Sequence, residues 1–248
     1  MSITTEEELQ GMQAAGAVVA QMLEAMKQAA QPGVTTAELD AIGASVMREQ
    51  GAKSAPSLVY GFPGSVCISL NDEAVHGIPG KRALQEGDLV KLDVTVEKGG
   101  YMADAAVTVA VGEPSSVARR LALCAESAFH KAMRVAHAGQ PVREIGRAVE
   151  NEVRSAGFAV IRDLCGHGIG RTIHESPSVP NYPDPNSSDL LTEGLVITVE
   201  PIISAGTGHV FLGHDGWTVR TRDRKLSAHH EHTIMITPAE PVILTAAA

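Results

Sequence analysis

The sequence lacks an excess of basic residues, a long apolar run and a regular cysteine pattern. Its net charge of −9 argues against nucleic acid as the main partner, because nucleic-acid-binding domains usually present a basic face. No run of about 18 apolar residues exists, so we expect no membrane span. The N-terminal stretch MSITTEEELQ is acidic and shows no signal-peptide pattern. The cysteines are odd in number and widely spaced, which predicts free thiols in a reducing cytoplasm: Cys67, Cys124 and Cys165.

The composition is otherwise that of an ordinary globular protein. Hydrophobic residues make up 44% of the chain and charged residues 20%, which excludes a disordered chain. A chain of 248 residues can bury the core of one large domain or two small ones. Because no low-complexity linker interrupts it, we predict a single domain over residues 1–248.

Apolar residues at helical spacing predict four helices. The first two begin at capping-box signatures, Thr5 with Glu8 and Thr35 with Glu38. The third is expected to end before a glycine, and the fourth to begin with proline and end at a glycine. The predicted ranges are 4–30, 35–50, 115–138 and 141–157.

Residues 58–111 are predicted to form strands and turns. The stretch EGDLVKLD, at 86–93, indicates a turn that leads into a strand with one apolar face. Asp93 falls on the other face, in the middle of that strand. The KGG sequence at 98–100 predicts a hairpin turn, and the second strand of the hairpin carries Asp104. Aspartate is depleted in strands, and a buried carboxylate without a partner is costly.

Two segments of the sequence recur. Residues 32–51 align without gaps on residues 138–157, and residues 86–93 align on residues 193–200. The second alignment places Asp93 on Glu200. The sequence therefore predicts two related halves, each a helix pair followed by strands, with an acid at the same place in each.

Matched acids in two related halves predict a metal site. If the halves pack about a pseudo-twofold axis, Asp93 and Glu200 meet in the core and repel each other unless a cation lies between them. Asp104 and Glu231 each interrupt a segment that otherwise predicts strand, which makes four carboxylates. Four carboxylates carry more charge than one divalent ion offsets, so we expect two ions. Hard carboxylate ligands suit Mn, Mg or Fe(II) and tolerate Zn and Co.

A histidine ligand is expected to complete the set. His167 lies in the glycine-rich stretch CGHGIG at 165–170, where the backbone can approach other groups closely, and imidazole suits these metals. His76 and His174 also lie on predicted loops. They are candidates for acid–base or substrate-orienting groups.

Other reactive side chains carry weaker signals. His230 and His232 fall on the strand face opposite Glu231, whereas His229 shares its parity but stands where the strand starts, so none of the three is assigned. Cys67 lies in the apolar stretch SVCISL, which favours a buried thiol over a nucleophile.

Several strings, in this order, resemble type I methionine aminopeptidases: GFPGSVCISLNDEAVHGIPG, KLDVTV, CGHGIGRTIHESP, VEP and DGWTVRTRDRKLSAHHEHTI. The likeness extends from Glu6 to Leu244. It implies an α/β (α+β) pita-bread fold, in which two pseudo-symmetric halves form a central curved antiparallel sheet flanked by two helix pairs. This expectation agrees with the internal repeat.

The resemblance also implies an activity, namely removal of the N-terminal methionine from nascent proteins and peptides when the second residue is small. Hydrolysis would take place at a dinuclear centre of two divalent ions, Co, Mn, Fe or Zn. The metal ligands of the family carry over onto Asp93, Asp104, His167, Glu200 and Glu231. Catalytic roles carry over onto His76, His174 and Glu200. Substrate contacts carry over onto His76, His174, Phe62, Cys67 and Trp217.

The sequence departs from the family pattern in two places. Many members have a tyrosine three residues before the aromatic residue of GFP, where this chain has Val59. Tyr60 is one place off and is not assigned. Many members also have threonine or serine after the second ligand aspartate, where this chain has Ala105 and Ala106. A hydroxyl near the metals is therefore expected to be missing, which should tune the site without abolishing it.

The resemblance implies N-terminal methionine peptides and nascent chains as partners, with transient ribosome association as a family-level expectation. We further expect a cytoplasmic monomer without nucleic-acid or membrane partners. Three alternatives stay open. A proline-specific peptidase of the same fold would usually carry an extra N-terminal domain, and a non-catalytic binding protein would have lost ligands. The third is an acid-rich structural core without metal.

Overall fold

The computed structural model describes residues 1–246, which form helices packed on antiparallel sheets. The helices are α1 (Glu6–Ala29), α2 (Thr36–Glu49), α3 (Ala55–Tyr60), α4 (Ser116–Met133) and α5 (Arg143–Ser155). The strands of the first half are β1 (Lys53–Ser54), β2 (Cys67–Leu70), β3 (Glu73–Val75), β4 (Leu89–Lys98) and β5 (Tyr101–Ala110). Those of the second half are β6 (Ala159–Val160), β7 (Cys165–Gly168), β8 (Glu175–Pro180), β9 (Val196–Val199), β10 (Ile202–Ser204), β11 (Val210–Leu212), β12 (Val219–Thr221), β13 (Ser227–His229), β14 (Glu231–Met235) and β15 (Val242–Ile243). Over this described range, no helix combines the length and apolarity that crossing a membrane requires.

The first two helices begin where the capping signatures predict. The Thr5 hydroxyl accepts a hydrogen bond from the Glu8 backbone N–H. Thr35 and Glu38 form a complete capping box, in which each side chain accepts from the backbone of the other residue. These bonds satisfy N–H groups that the first turn of a helix leaves without partners.

The prediction for the third helix was wrong at its C-terminal end. Helix α4 ends at Met133, five residues before Ala138. The reason is tertiary, because the N–H of Ala138 donates to the carbonyl of Thr237 and the N–H of Gly139 donates to that of Leu191. These long-range bonds hold the backbone in a non-helical path. Helix α5 also starts at Arg143, two residues beyond the predicted proline.

One short helix was missed, and its last three residues fall in the stretch predicted as strands and turns. Helix α3 begins at a capping serine, Ser54, has Pro56 in its first turn and ends at Gly61, whose φ of 71° is left-handed. These start and stop signals are present in the sequence. The helix has only 6 residues, too few for a helical apolar period to stand out.

A nine-stranded antiparallel sheet forms the centre of the molecule, with strand order β1-β4-β5-β14-β9-β7-β8, while β2 pairs with β4 and β15 with β14. The predicted hairpin is confirmed as β4 and β5, which turn through Gly99 and Gly100. Two three-stranded sheets accompany it, β13-β10-β6 and β11-β12-β3. The two halves meet where β5 pairs with β14.

The predicted repeat is confirmed by equivalent bonds in the two halves. The N–H of Gly33 donates to the carbonyl of Leu84 at 2.8 Å, and the N–H of Gly139 donates to that of Leu191 at 2.8 Å. Helices α1 and α2 cover the β4–β5 side of the sheet with one hydrophobic core. Helices α4 and α5 cover the other half with a second core. The fold is therefore α/β, with two helix pairs on a central antiparallel sheet.

Candidate metal centre

All ten predicted site residues line one cavity of about 560 Å³. Five neighbouring strands of the central sheet supply the predicted ligands, with Glu200 directly after its strand. In the spatial order β4, β5, β14, β9 and β7, these residues are Asp93, Asp104, Glu231, Glu200 and His167. The sheet therefore brings together acids that lie more than 100 residues apart in the chain.

The strand register fixes which side chains share the cavity face. Across three strand pairs, Cys67 lies opposite Asp93, Asp93 lies opposite Ala106, and Ala106 lies opposite Glu231. Residues directly opposite one another in a sheet project to the same side. The methyl group of Ala106 therefore stands in the row between two acids, where its lack of a hydroxyl matters. Ala105 projects to the other face.

Among residues 1–246 there are two groups of three side chains that could hold a metal ion. Within each group, the three ligand atoms all lie within 4.8 Å of one another. The first contains Asp104, His167 and Glu231, and the second contains Glu200, His229 and Glu231. Glu231 belongs to both groups and therefore lies at the centre of the cluster. Asp93 belongs to neither, but its carboxyl contacts that of Asp104.

Burial makes the carboxylates of this cluster unstable as isolated charges. Asp104, Glu200 and Glu231 are 7%, 8% and 2% exposed. Burial, followed by the neighbouring carboxylates, holds the pKa of each of the three well above its ordinary value. Burial also raises the pKa of Asp93, while the nearby imidazole of His229 opposes that rise.

The cluster fits a divalent cation by two criteria. Within the part of the chain that the structure describes, Asp104 Oδ1 and Glu231 Oε1 are buried without a hydrogen-bond partner. Buried polar atoms are usually satisfied, and a cation would satisfy both oxygens while it offsets the repulsion of the acids. The donors are carboxylate oxygens and imidazole nitrogen, the set that Mn, Fe, Co and Zn accept.

His167 is held ready to bind a cation. Its Nδ1–H donates to the Gly168 carbonyl at 2.9 Å, which leaves the Nε2 lone pair 3.6 Å from Glu200 Oε1. Burial, and then the neighbouring His174, lower the pKa of His167 to about 4, so the ring is neutral at neutral pH. A Cβ on Gly166 would lie 2.5 Å from the Thr198 carbonyl oxygen, so the predicted close backbone approach is confirmed.

The two loop histidines line the same cavity from opposite halves. His76 follows β3 with a left-handed φ of 58° and opens to solvent within the cavity. Desolvation of the ring by the surrounding cavity wall, followed by the charge of His229, lowers the pKa of His76. The ring of His174 lies 4.2 Å from that of His167, and burial, followed by His76, lowers the pKa of His174. Both imidazoles therefore have a neutral form that can donate to a bound substrate.

Part of the cavity wall is apolar. The rings of Phe62 and Trp217 meet edge to face with centroids 5.3 Å apart. Cys67 is buried, and burial followed by the charge of Asp93 raises the pKa of its thiol. The expectation of a buried thiol is therefore confirmed, and all three residues line the cavity.

Sequence reasoning considered Tyr60 and His229 without assigning either to the site, and both line the cavity. The Tyr60 hydroxyl lies 2.5 Å from His174 Nδ1, and its ring is 48% exposed at the cavity mouth. Tyr60 ends the helix that was missed. His229 is buried against Glu231.

Comparisons with known proteins agree with this geometry. Residues 10–238 match metallopeptidase family M24. Methionine aminopeptidase 2 of Bacillus subtilis strain 168 is 46% identical over 247 residues, which cover 99% of each chain. The crystal structure of methionine aminopeptidase from Thermotoga maritima superposes with a TM-score of 0.96 at 35% identity, covering 99% of this chain and 100% of that one.

A prolidase shares the fold alone. Prolidase from Pyrococcus furiosus superposes with a TM-score of 0.80 at 23% identity, covering 99% of this chain and 66% of that one. The two-halved architecture is therefore the pita-bread fold that the resemblance implies. The chain is similar to methionine aminopeptidases over its full length and has an acid–histidine cluster suited to divalent ions. It therefore belongs to metallopeptidase family M24, among its methionine aminopeptidases.

Proposed function

We propose that this chain is a type I methionine aminopeptidase whose residues 1–248 form a single catalytic domain. It would remove the N-terminal methionine from nascent proteins and peptides when the second residue is small. The observation that carries the proposal is one cavity lined both by a cluster of acids and imidazoles and by apolar side chains.

Two divalent ions would be held by Asp93, Asp104, His167, Glu200 and Glu231. Two ligand groups that share Glu231, together with four acids, support two ions over one. Ions bound there would supply Lewis acidity and a water of lowered pKa. The ions would be Co, Mn, Fe or Zn, because carboxylate and imidazole donors accept all of these.

Glu200 is the group that we assign to move a proton. Its Oε1 accepts a hydrogen bond from the Thr198 hydroxyl at 2.8 Å, which fixes the carboxyl group in the cavity. Before an ion binds, burial and then the charge of Glu231 raise its pKa well above the ordinary value. Glu200 would take a proton from the attacking water and pass it to the leaving amine.

The two loop histidines would orient the scissile bond. His174 stands at the mouth beside His167, and we assign its imidazole N–H to the carbonyl oxygen. His76, from the other half, would donate toward the amide nitrogen. Fixed donors of this kind stabilise charge that develops in the transition state.

The apolar part of the cavity wall would select the methionine side chain. Phe62, Cys67 and Trp217 form a wall that excludes water and contacts an unbranched side chain. Such a pocket discriminates by size and shape, with about 1–3 kcal/mol for each methylene. Crowding beyond it would restrict the second residue of the substrate to small side chains.

The partners follow from this activity. We propose that the protein acts in the cytoplasm as a monomer, on nascent chains and peptides, with transient ribosome association. The acidic net charge of −9 supports the absence of a nucleic-acid partner.

Metal analysis followed by peptide hydrolysis tests the proposal. Purified protein, loaded in turn with Co, Mn, Fe and Zn, would be assayed on Met-Gly-Met and on peptides with a proline in second place. We expect methionine release from the first peptide and no Xaa-Pro cleavage. Xaa-Pro cleavage would favour a proline-specific peptidase, and no cleavage with any metal would favour a binding protein.

A further inference from the structure

We propose that His229 is a sixth metal ligand, which joins Glu200 and Glu231 at one of the two ion positions. This inference rests on the proposed dinuclear site and deepens it. It changes that site from one imidazole for two ions to one imidazole for each ion.

The first observation is a buried imidazole with unused nitrogens. His229 is 2% exposed, and its ring lines the cavity. Among residues 1–246, no group accepts from or donates to either ring nitrogen with hydrogen-bond geometry. A buried polar group without a partner costs about 1–3 kcal/mol, so such a ring needs a partner that the protein atoms do not provide.

The second observation is the spacing of the ring from the acids. His229 Nε2 lies 3.2 Å from Glu231 Oε2, and a ligand atom of Glu200 lies within 4.8 Å of both residues' ligand atoms. Two donors that each lie about 2.1 Å from one ion are about 3 Å apart. A spacing of 3.2 Å without hydrogen-bond geometry therefore fits two ligands of one cation.

The third observation is how the backbone fixes the ring. The N–H of His229 donates to the Thr108 hydroxyl at 2.8 Å, and that hydroxyl donates to the His229 carbonyl at 2.8 Å. On the other side, His229 pairs with Ile202 of β10. His167 is oriented through its own Nδ1, whereas His229 is oriented by a backbone held on two sides.

The neighbouring histidines, one between β13 and β14 and one in β14, provide a contrast. His230 and His232 project to the opposite face, where both rings pack against Phe129 at centroid distances of 5.3 and 5.2 Å. Neither ring lines the cavity around the acids. The direction of the side chain therefore distinguishes His229, a candidate ligand, from His230 and His232, which are packing residues.

A second imidazole has a chemical consequence. Positions with only carboxylate ligands suit Mg and Mn. Imidazole suits Zn and Fe, which together with Co are ions of borderline hardness. With His167 at one position and His229 at the other, both positions would prefer borderline divalent ions. The ligand class at the second position is therefore mixed nitrogen and oxygen.

Cobalt binding and X-ray absorption test the role of His229 directly. The chelated protein would be titrated with Co(II) by calorimetry, and the imidazole ligands for each cobalt would be counted from the absorption fine structure. The variant is His229→Gln, which keeps a polar amide and removes the imidazole. The matched control is His230→Gln, which changes the adjacent packing residue.

We expect His229→Gln to weaken the second equivalent of Co(II) about tenfold or more, with no such change in His230→Gln. The wild-type count should be about one imidazole for each cobalt, against about half that number in His229→Gln. If His229→Gln fails to fold, the number of imidazole ligands for each cobalt in the wild-type protein still tests the proposal. Two bound ions with a count near one half, or unchanged affinity in His229→Gln, would overturn this role alone. A wild-type protein that binds no divalent ion would instead overturn the proposed function.

Discussion

In the first half of the molecule, Asp93 and Asp104 lie on one hairpin of two ten-residue strands, which turns through Gly99 and Gly100. In the second half, the corresponding acids lie on separate strands. Glu200 directly follows a strand of 4 residues and Glu231 begins a strand of 5, and β9 and β14 meet only through long-range pairing. The same placement of acids is therefore reached by a local route in one half and by a tertiary route in the other.

The framework behind the acids differs much less. An isolated bridge joins Thr35 to Ala83 in the first half, and its counterpart joins Pro141 to Leu190 in the second. What differs is the chain between β9 and β14, which carries both Trp217 and His229. The repeated framework therefore positions the acids, while the long connection of the second half supplies additional walls and donors.

The largest expected effect is on metal content and activity when Glu231, which belongs to both ligand groups, is compared with Asp93, which belongs to neither. Glu231→Gln should remove both ions and reduce kcat/KM more than about 10,000-fold, because several kcal/mol of Lewis-acid stabilisation are lost. Asp93→Asn should retain more metal. Metal content by mass spectrometry and methionine release measure the two effects. Equal metal loss in both variants would show that Glu231 has no central place.

The loop histidines offer one variant from each half. His174→Ala should lower kcat about 100-fold to 10,000-fold, because a transition-state donor is lost, and should leave metal content nearly intact. His76→Ala should behave in the same way. Steady-state kinetics with metal analysis of each variant checks this pair. Parallel loss of metal and turnover in His174→Ala would contradict its assignment as a non-ligand.

Metal removal at two pH values tests whether the acids of both halves act as one cluster. Because the pKa of Asp104, Glu200 and Glu231 is raised, protons compete with an ion for these carboxylates up to a higher pH than for exposed acids. Metal stabilisation is therefore lost as pH falls through those raised values. His167 and His229, each with a pKa of about 4, stay neutral at the two pH values to be compared, 7.5 and 5.5.

At metal concentrations about 100 times Kd, the Tm should exceed that of the chelated protein by about 5–10 °C at pH 7.5. The difference should shrink at pH 5.5. Thermal unfolding followed by circular dichroism measures it. A difference independent of pH would mean that the acids are already ionised before the ions bind.

The smallest effect concerns the helix starts. Thr35→Ala should lower the free energy of unfolding by about 1 kcal/mol, because it removes the capping box of α2. Thr35→Ser keeps the hydroxyl and serves as the control. Helix α5, the counterpart in the second half, has no side-chain cap. Urea unfolding distinguishes the variants, and equal stability of Thr35→Ala and the wild type would show that the cap adds nothing here.

Much of the framework could be predicted because it rests on local signals. Alternation and the KGG turn predicted the β4–β5 hairpin, and capping residues predicted the starts of α1 and α2. The internal repeat predicted that Asp93 and Glu200 lie together, and both residues line one cavity. These features depend on residues close together in the chain or on one repeated spacing.

The remaining features depend on contacts that no local pattern contains. Helix α4 ends early because Ala138 bonds to Thr237. Tyr60 contacts His174 across 114 positions of the chain, through a helix too short to show a period. His229 ends β13 and the next strand begins after a break, so alternation counted across that break could not fix its direction.

Anomalous diffraction from crystals grown with Co(II) tests the central claim most directly. The two halves should converge on two cobalt peaks inside the cavity, with Glu231 in contact with both and the carboxylates of Asp104 and Glu200 beside them. No peak among these acids, or a cobalt site elsewhere with the cavity carboxylates paired only to one another, would contradict the account.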